Sequence, residues 1–257
     1  MARATALVTG ASAGLGAEFA RHCAAGGYDV VLLARSASRL DELAADLVKT
    51  YGVEAHPLPA DLADPAAPPT IFARLSGIPI EILINNAGFG VRGPYAETDW
   101  ARDSGLMQVN MVALAHLTKL FLPEMIRRRN GRILNVASTA AFVPGPFMAL
   151  YYASKAFVLS FSEALANEVQ GTGVTVTALC PGATRTEFAQ VAGLADTALF
   201  HGATMGAAEV ARIGYDAMMA GKSSVIAGAR NRWMIRGTRL VPRSFTAAEA
   251  RKLNWGK

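Results

Sequence analysis

Cysteine is nearly absent from this chain: Cys23 and Cys180 are the two it has among 257 residues. They stand far apart with no metal-ligand spacing, which excludes a disulfide framework and a cysteine-based metal site, makes both thiols small core residues and fits a reducing cytoplasm; no metal is expected. Long hydrophobic runs are missing too. No apolar stretch approaches the length of a membrane span, so no transmembrane segment is expected. Met1 to Gly10 runs almost at once into a strand and a glycine loop, leaving no room for a signal peptide ahead of them. Repeats, low-complexity tracts and convincing linkers are lacking, and a domain boundary would have to be invented. The net charge of +5 comes with no aromatic-interleaved nucleic-acid motif, which argues against a nucleic-acid partner.

What is present is a large apolar share, 52% of residues against 18% charged, enough to bury one sizeable core. Strand-length apolar runs at Thr5–Val8, Val30–Leu33, Ile80–Ile84, Arg132–Val136, Thr175–Leu179 and Ser224–Ala227 alternate with helical spacing. The helical stretches are Glu18–Ala25, Ser38–Thr50, Pro65–Leu75, Trp100–Arg129, Tyr151–Gln170 and Ala207–Ala220, and Pro123 predicts a kink or break in the fourth. Runs without alternation, rich in Val, Ile and Leu, are those of strands buried on both faces. The pattern predicts an α/β fold: a single Rossmann-type domain over residues 1–257, with a doubly wound, mostly parallel sheet and helices on both faces.

After the first strand comes Thr9-Gly-Ala-Ser-Ala-Gly-Leu-Gly16, so Gly10, Gly14 and Gly16 stand where a dinucleotide pyrophosphate would meet a helix N-terminus, with Ser12 able to add a hydroxyl. An ordinary turn before a tightly packed helix would use the same glycines. At the end of the second strand, Leu33-Ala34-Arg35-Ser36 offers no carboxylate for a ribose hydroxyl. Arg35, with Arg39 one turn later, instead offers cationic forks for a 2′-phosphate, which favours NADP(H) over NAD. Solvated surface charge is the plainer reading of both. Tyr151 and Lys155 fall four apart, on one face of a helix, with Tyr152 turned about 100° away. A free tyrosine has a pKa of about 10, so a nearby ammonium would be needed to bring its phenol into a useful range for acid–base work.

With these features the chain resembles the short-chain dehydrogenase/reductase family, whose Tyr-x-x-x-Lys signature is matched by Tyr151 and Lys155. The resemblance covers nearly the whole chain and implies further roles. Ser138, thirteen residues before Tyr151, matches the catalytic serine, with Thr139 as fallback. Asn110, in Gln108-Val-Asn110-Met, matches a fourth catalytic position that supports a water relay. Asn85-Asn86-Ala87-Gly88 matches a segment shaping the cofactor side of the sheet, Asp61 and Leu62 an adenine neighbourhood, and Pro181, Gly182, Thr184 and Thr186 the nicotinamide side. The cofactor-facing set thus comprises Gly10, Ser12, Gly14, Leu15, Gly16, Arg35, Arg39, Asp61, Leu62, Asn86, Ala87, Gly88, Tyr151, Lys155, Pro181, Gly182, Thr184 and Thr186.

The function implied is an NADP(H)-dependent carbonyl reductase or alcohol dehydrogenase of the cytoplasm, acting on a small, apolar carbonyl or alcohol as a homodimer or homotetramer paired through the two long helices. A lid at 187–205, with Phe188, Val191, Leu194, Leu199 and Phe200, and the preceding Phe142, Pro144, Phe147 and Met148 are the expected pocket. The alternatives are a 3-oxoacyl thioester reductase acting on an acyl carrier protein or CoA substrate, and a non-catalytic NADPH-binding sensor. A basic tail at 230–257 carries Arg230, Arg232, Arg236, Arg239, Arg243, Arg251, Lys252 and Lys257 against Glu249. It reads as a solvated face, or as contact with a membrane surface, a partner or an acidic substrate tail.

Overall fold

The computed structural model describes residues 3–194, 197 and 204–255. In chain order the elements are β1 (Thr5–Thr9), α1 (Gly14–Ala25), β2 (Asp29–Ala34), α2 (Ala37–Tyr51), β3 (Ala55–Pro59), α3 (Ala67–Arg74), β4 (Ile80–Asn85), α4 (Trp100–Met107), α5 (Leu114–Arg127), β5 (Gly131–Val136), α6 (Ala149–Glu168) and β6 (Val174–Cys180). Then come β7 (Thr184–Arg185), α7 (Phe188–Val191), β8 (Met205–Gly206), α8 (Ala207–Met219), β9 (Ser224–Ile226), α9 (Ala229–Thr238) and α10 (Arg243–Trp255). Seven strands form one sheet in the order β3-β2-β1-β4-β5-β6-β9, every neighbouring pair parallel. The order reverses between β1 and β4, and the crevice at the carboxyl ends of those two strands is where such sheets bind ligands.

Strand side chains alternate between two cores. Ala6 and Val8 of β1 pack with Phe19, Leu40, Leu47, Val210 and Met218 under α1, α2 and α8. Leu7 packs oppositely with Ile71, Leu117, Phe121 and Leu165 under α3, α5 and α6. Leu7 and Phe19 are wholly buried, each contributing roughly 1.5–3 kcal/mol by leaving water. In the middle of the sheet, Asn85 and Asn135 lie opposite one another in register and share an Nδ2–Oδ1 bond of 2.9 Å, which Thr118 and Ser162 extend.

Strand β3 was not anticipated, because Ala55-His-Pro-Leu-Pro59 is neither apolar throughout nor free of proline. It succeeds as an edge. Glu54 accepts from Val30 and Ala60 donates to Ala34, so even-numbered residues bond to β2 and Pro57 and Pro59 point their missing donors outward.

The break expected at Pro123 does not occur. α5 continues through it, since Pro123 and Lys119, whose carbonyl loses its partner, are both exposed. The irregularity lies instead at Gln108–Ala113, a π turn between α4 and α5. The expectation that no segment reaches membrane-span length also needs correction: Trp100–Arg127 qualifies by length and composition. Its Leu106, Ala113, Leu117, Phe121 and Met125 are nevertheless packed in the protein interior.

Candidate active site

A cleft of about 920 Å³ opens along the carboxyl ends of the strands. Its floor is the β1–α1 turn. Gly10 has φ +66, and a Cβ there would stand 2.8 Å from Asn86 Nδ2 and 2.9 Å from Ala87 Cα. Asn86 closes the turn by donating to the carbonyls of Thr9 and Gly10. The Thr9 hydroxyl accepts from the amides of Asn86 and Ala87, joining β1 to β4 at the switch point. Helix α1 starts at Gly14, four residues earlier than the apolar pattern suggested, with no side-chain cap and no acidic residue in its first turn. Its leading amides and positive dipole end are thus left for a ligand, and they face the cleft where Gly14 and Leu15 line it. A bare, uncapped helix start behind a turn that admits no Cβ at Gly10 fits a dinucleotide pyrophosphate.

Seventeen of the eighteen expected cofactor-facing residues line this cleft. The exception is Gly16, in the first turn of α1, where a Cβ would come 2.0 Å from the Gly10 carbonyl oxygen; it lets helix and turn touch and lies off the cleft wall. Arg35 is exposed at the end of β2 and lines the cleft. Arg39 does too, but its guanidinium is held by Glu187 at 2.9 Å. That partner lies 148 positions away, so nothing local in the sequence could reveal it. Of the two cations, Arg35 is the one without an ion pair among the described residues. Asp61 caps its own turn by accepting from the Ala63 amide.

Across the cleft, Ser138, at the end of β5, and Tyr151 and Lys155, one turn apart on α6, come to one wall. The Ser138 hydroxyl accepts from Ala140 N and lies 3.4 Å from the Pro181 carbonyl. Burial pushes the Tyr151 phenol well above its ordinary range, and a hydrogen bond with Ser138 pulls the other way. Lys155 was expected to supply that pull. Its Nζ instead donates to the Val136 carbonyl at 2.8 Å and stands 5.8 Å from the centre of the Tyr151 ring. Burial brings this ammonium down to about 8 because a charge in a low-dielectric interior favours its neutral form. Asn110, in the π turn, lies behind the wall and not on it. Its Nδ2 donates to the Phe89 carbonyl and Ser154 Oγ, and its Oδ1 accepts from the Phe89 amide. Both Nδ2 hydrogens and one Oδ1 lone pair are thereby used in tying the loop after β4 to α6.

The family model of short chain dehydrogenases matches residues 4–196. The chain belongs to the short chain dehydrogenase family. Within that family it is 39% identical over 177 residues to a very-long-chain 3-oxoacyl-CoA reductase of Phaeosphaeria nodorum, covering 66% of this chain and 52% of the relative. The chain spans about half the length of that curated relative. Among solved structures, a short-chain dehydrogenase from Sphingobium yanoikuyae in complex with NADPH is 35% identical with a TM-score of 0.83, covering 92% of this chain and 94% of the other. A 7beta-hydroxysteroid dehydrogenase structure is 27% identical with a TM-score of 0.88, covering 96% of both chains. The Sphingobium protein holds NADPH in that structure.

The substrate side of this dehydrogenase fold is partly as expected. Phe188, Val191, Leu194 and Met148 line the cleft, and the Phe188 ring lies 5.3 Å from that of Tyr151. Leu199 and Phe200 fall outside the described residues. Phe142, Pro144 and Phe147 are not on the wall. Phe142 packs with Val158 and Leu159 behind it, and Phe147, at φ +65, stacks on Trp255 with ring centroids 4.1 Å apart. Sequence reasoning missed Tyr152, which lines the cleft and bonds through its hydroxyl to Asn254 at 3.1 Å. Asn254 is fully buried and also donates to the Pro146 carbonyl at 3.0 Å. The supposed tail is therefore structured, and α10 buttresses the segment leading to Tyr151.

Proposed function

We propose that this protein is an NADP(H)-dependent oxidoreductase that interconverts a carbonyl and an alcohol. The observation that carries the reading is the convergence of Tyr151 and Ser138 on one cleft wall, with a glycine turn and an uncapped helix start on the floor. When bound, the dinucleotide supplies hydride to the carbonyl carbon or accepts it from the alcohol. Gly10, Gly14 and the first amides of α1 would hold its pyrophosphate, Arg35 its 2′-phosphate, and Lys155 its nicotinamide ribose. The Ser138 hydroxyl donates to the carbonyl oxygen and keeps it beside the phenol. Tyr151 gives its proton to that oxygen during reduction and takes one back during oxidation, which is why a phenol kept protonated by burial suits the reductive direction. Asn110 positions: it holds the Gly88–Phe89 wall against α6, and with both amide hydrogens occupied, a relay water there would meet the free lone pair of its Oδ1 or its backbone.

Phe188, Val191, Leu194 and Met148 support an apolar substrate. The name of the Phaeosphaeria relative supports a second reading, a 3-oxoacyl thioester as that substrate, and the hydroxysteroid dehydrogenase likeness supports a bulky cyclic ketone. Exposed Trp100, Val112, Ile126 and Phe157 on α4, α5, the π turn between them and α6 support pairing of copies through these helices. Buried, unpaired Cys23 and Cys180 support a reducing compartment such as the cytoplasm.

The test is oxidation of NADPH and NADH, side by side, over ketones, aldehydes, a steroid ketone and a 3-oxoacyl thioester. Turnover with NADPH is expected, and Tyr151→Phe should lower it by about 10²–10⁴-fold with NADPH affinity unchanged. A Tyr151→Phe enzyme of normal activity would remove the phenol from the mechanism.

A further inference from the structure

Outside the cleft, the most unusual surface belongs to α9, α10 and the turn joining them. The inward face of α9 is Asn231, Ile235 and Thr238, spaced as one helical stripe, with Ile235 3% exposed. The opposite stripe carries Arg230, Trp233, Arg236 and then Leu240. Trp233 is 70% exposed and Leu240, at the apex of the turn, 87%. Val241 and Phe245 continue the apolar ridge, both exposed. Arg239 and Arg243 flank the apex, and the Arg236 guanidinium lies over the Trp233 ring at 5.3 Å. Among the described residues, Arg230, Arg232, Arg236, Arg239, Arg243 and Arg251 form no ion pair; Glu249, the single carboxylate of the stretch, is taken by Lys252.

Ordering a tryptophan, a leucine and a phenylalanine in water gains nothing, and a ridge so basic repels a second copy of itself. We propose that the α9–α10 pair is a docking surface for an anionic lipid bilayer. Apolar side chains would enter the headgroup boundary while the arginines, whose stems reach along apolar surface, meet lipid phosphates. Charge complementarity chooses the occupant: an anionic bilayer presents dense negative charge and an apolar layer beneath it, and this ridge carries both complements. The placement also bears on the cleft, because Ala250 on the inward side of α10 belongs to the same buried cluster as Met148 and Leu194, against which Phe188 packs. A docked protein would hold its substrate side close to the lipid surface.

The experiment is flotation of the full-length protein with phosphatidylcholine vesicles and with vesicles containing 30% phosphatidylserine. Binding is expected to the second only, and to be lost near 0.5 M salt as the charges are screened. Trp233→Ser with Leu240→Ser should weaken partitioning by roughly tenfold per side chain. Arg236→Gln with Arg239→Gln should weaken it by about fivefold each. These exposed positions should leave NADPH oxidation in solution unchanged, so the result stands apart from the reading of the cleft. No flotation with either vesicle, or flotation indifferent to both variants, would overturn the proposal. So would a self-associating species in sedimentation that the Trp233→Ser, Leu240→Ser variant dissolves, since the ridge would then belong to a protein contact.

Discussion

Replacing Lys155 by methionine should make the protein more stable at neutral pH while destroying its activity. The ammonium is 5% exposed, and burial lowers its pKa from 10.5 to about 8. The sign follows from proton counting. Between pH 8 and 10.5 the unfolded chain binds the proton and the folded one does not, so this residue makes stability rise with pH across that window. Below pH 8 both states are charged and the full cost of burying the charge is present, about 3 kcal/mol at pH 7, falling to about 1 kcal/mol at pH 9.5. Losing the bond to the Val136 carbonyl gives back roughly 1 kcal/mol. Lys155→Met should therefore be more stable by about 2 kcal/mol at pH 7 and nearly equal to the native protein at pH 9.5. Urea unfolding of both proteins without added cofactor, extrapolated to water at the two pH values, measures this. The thiols of Cys23 and Cys180, which burial pushes up to about 12, destabilise both proteins equally as pH rises past 9 and cancel in the difference. A variant less stable at pH 7, or an advantage that does not change with pH, would refute the reasoning.

Arg35→Ser should raise the dissociation constant for NADPH by about ten- to hundredfold and leave that for NADH unchanged, whereas Arg39→Ser, whose guanidinium serves Glu187, should do much less; fluorescence titration of both coenzymes decides. Gly16→Ala should cost about 1–3 kcal/mol in chemical denaturation, and should also weaken NADPH binding by displacing the Gly10 turn even though Gly16 lies off the cleft. Asn254→Leu strands the Pro146 carbonyl and the Tyr152 hydroxyl, so about 2–4 kcal/mol of stability should go and the KM for substrate should rise, while NADPH affinity by titration stays as it was. Equal losses of substrate and cofactor affinity would contradict that division.

The sheet was readable wherever its strands are buried on both faces, because there the residues have to be apolar without interruption. β3 escaped because an edge tolerates proline and needs one buried residue, Leu58, instead of a run. The glycine turn, Arg35, Tyr151 and Lys155 were legible because local spacing determines their geometry. What sequence could not carry was pairing at a distance: Glu187 on Arg39, Asn254 on Tyr152, Phe89 on Asn110. Each removes a group from the role its position suggested or adds one from far along the chain. The π turn was hidden for a related reason, since Gln108–Ala113 has ordinary helical composition and widens where Asn110 is drawn to Phe89 and Ser154. The two helices of the basic tail went unread because its polar surface outweighs a buried stripe of small residues, Thr246, Ala250 and Asn254.

The outward prolines of β3 carry a consequence for how copies of this chain can meet. A sheet grows by offering free donors and acceptors at an edge. One edge here lacks donors at Pro57 and Pro59, and the other, β9, is three residues long. Strand addition finds few free donors at either end of this sheet, so the folded protein is poorly suited to the cross-strand stacking from which fibrils grow. Association between folded copies through side chains on helices is of the kind that single substitutions can undo without disturbing the sheet.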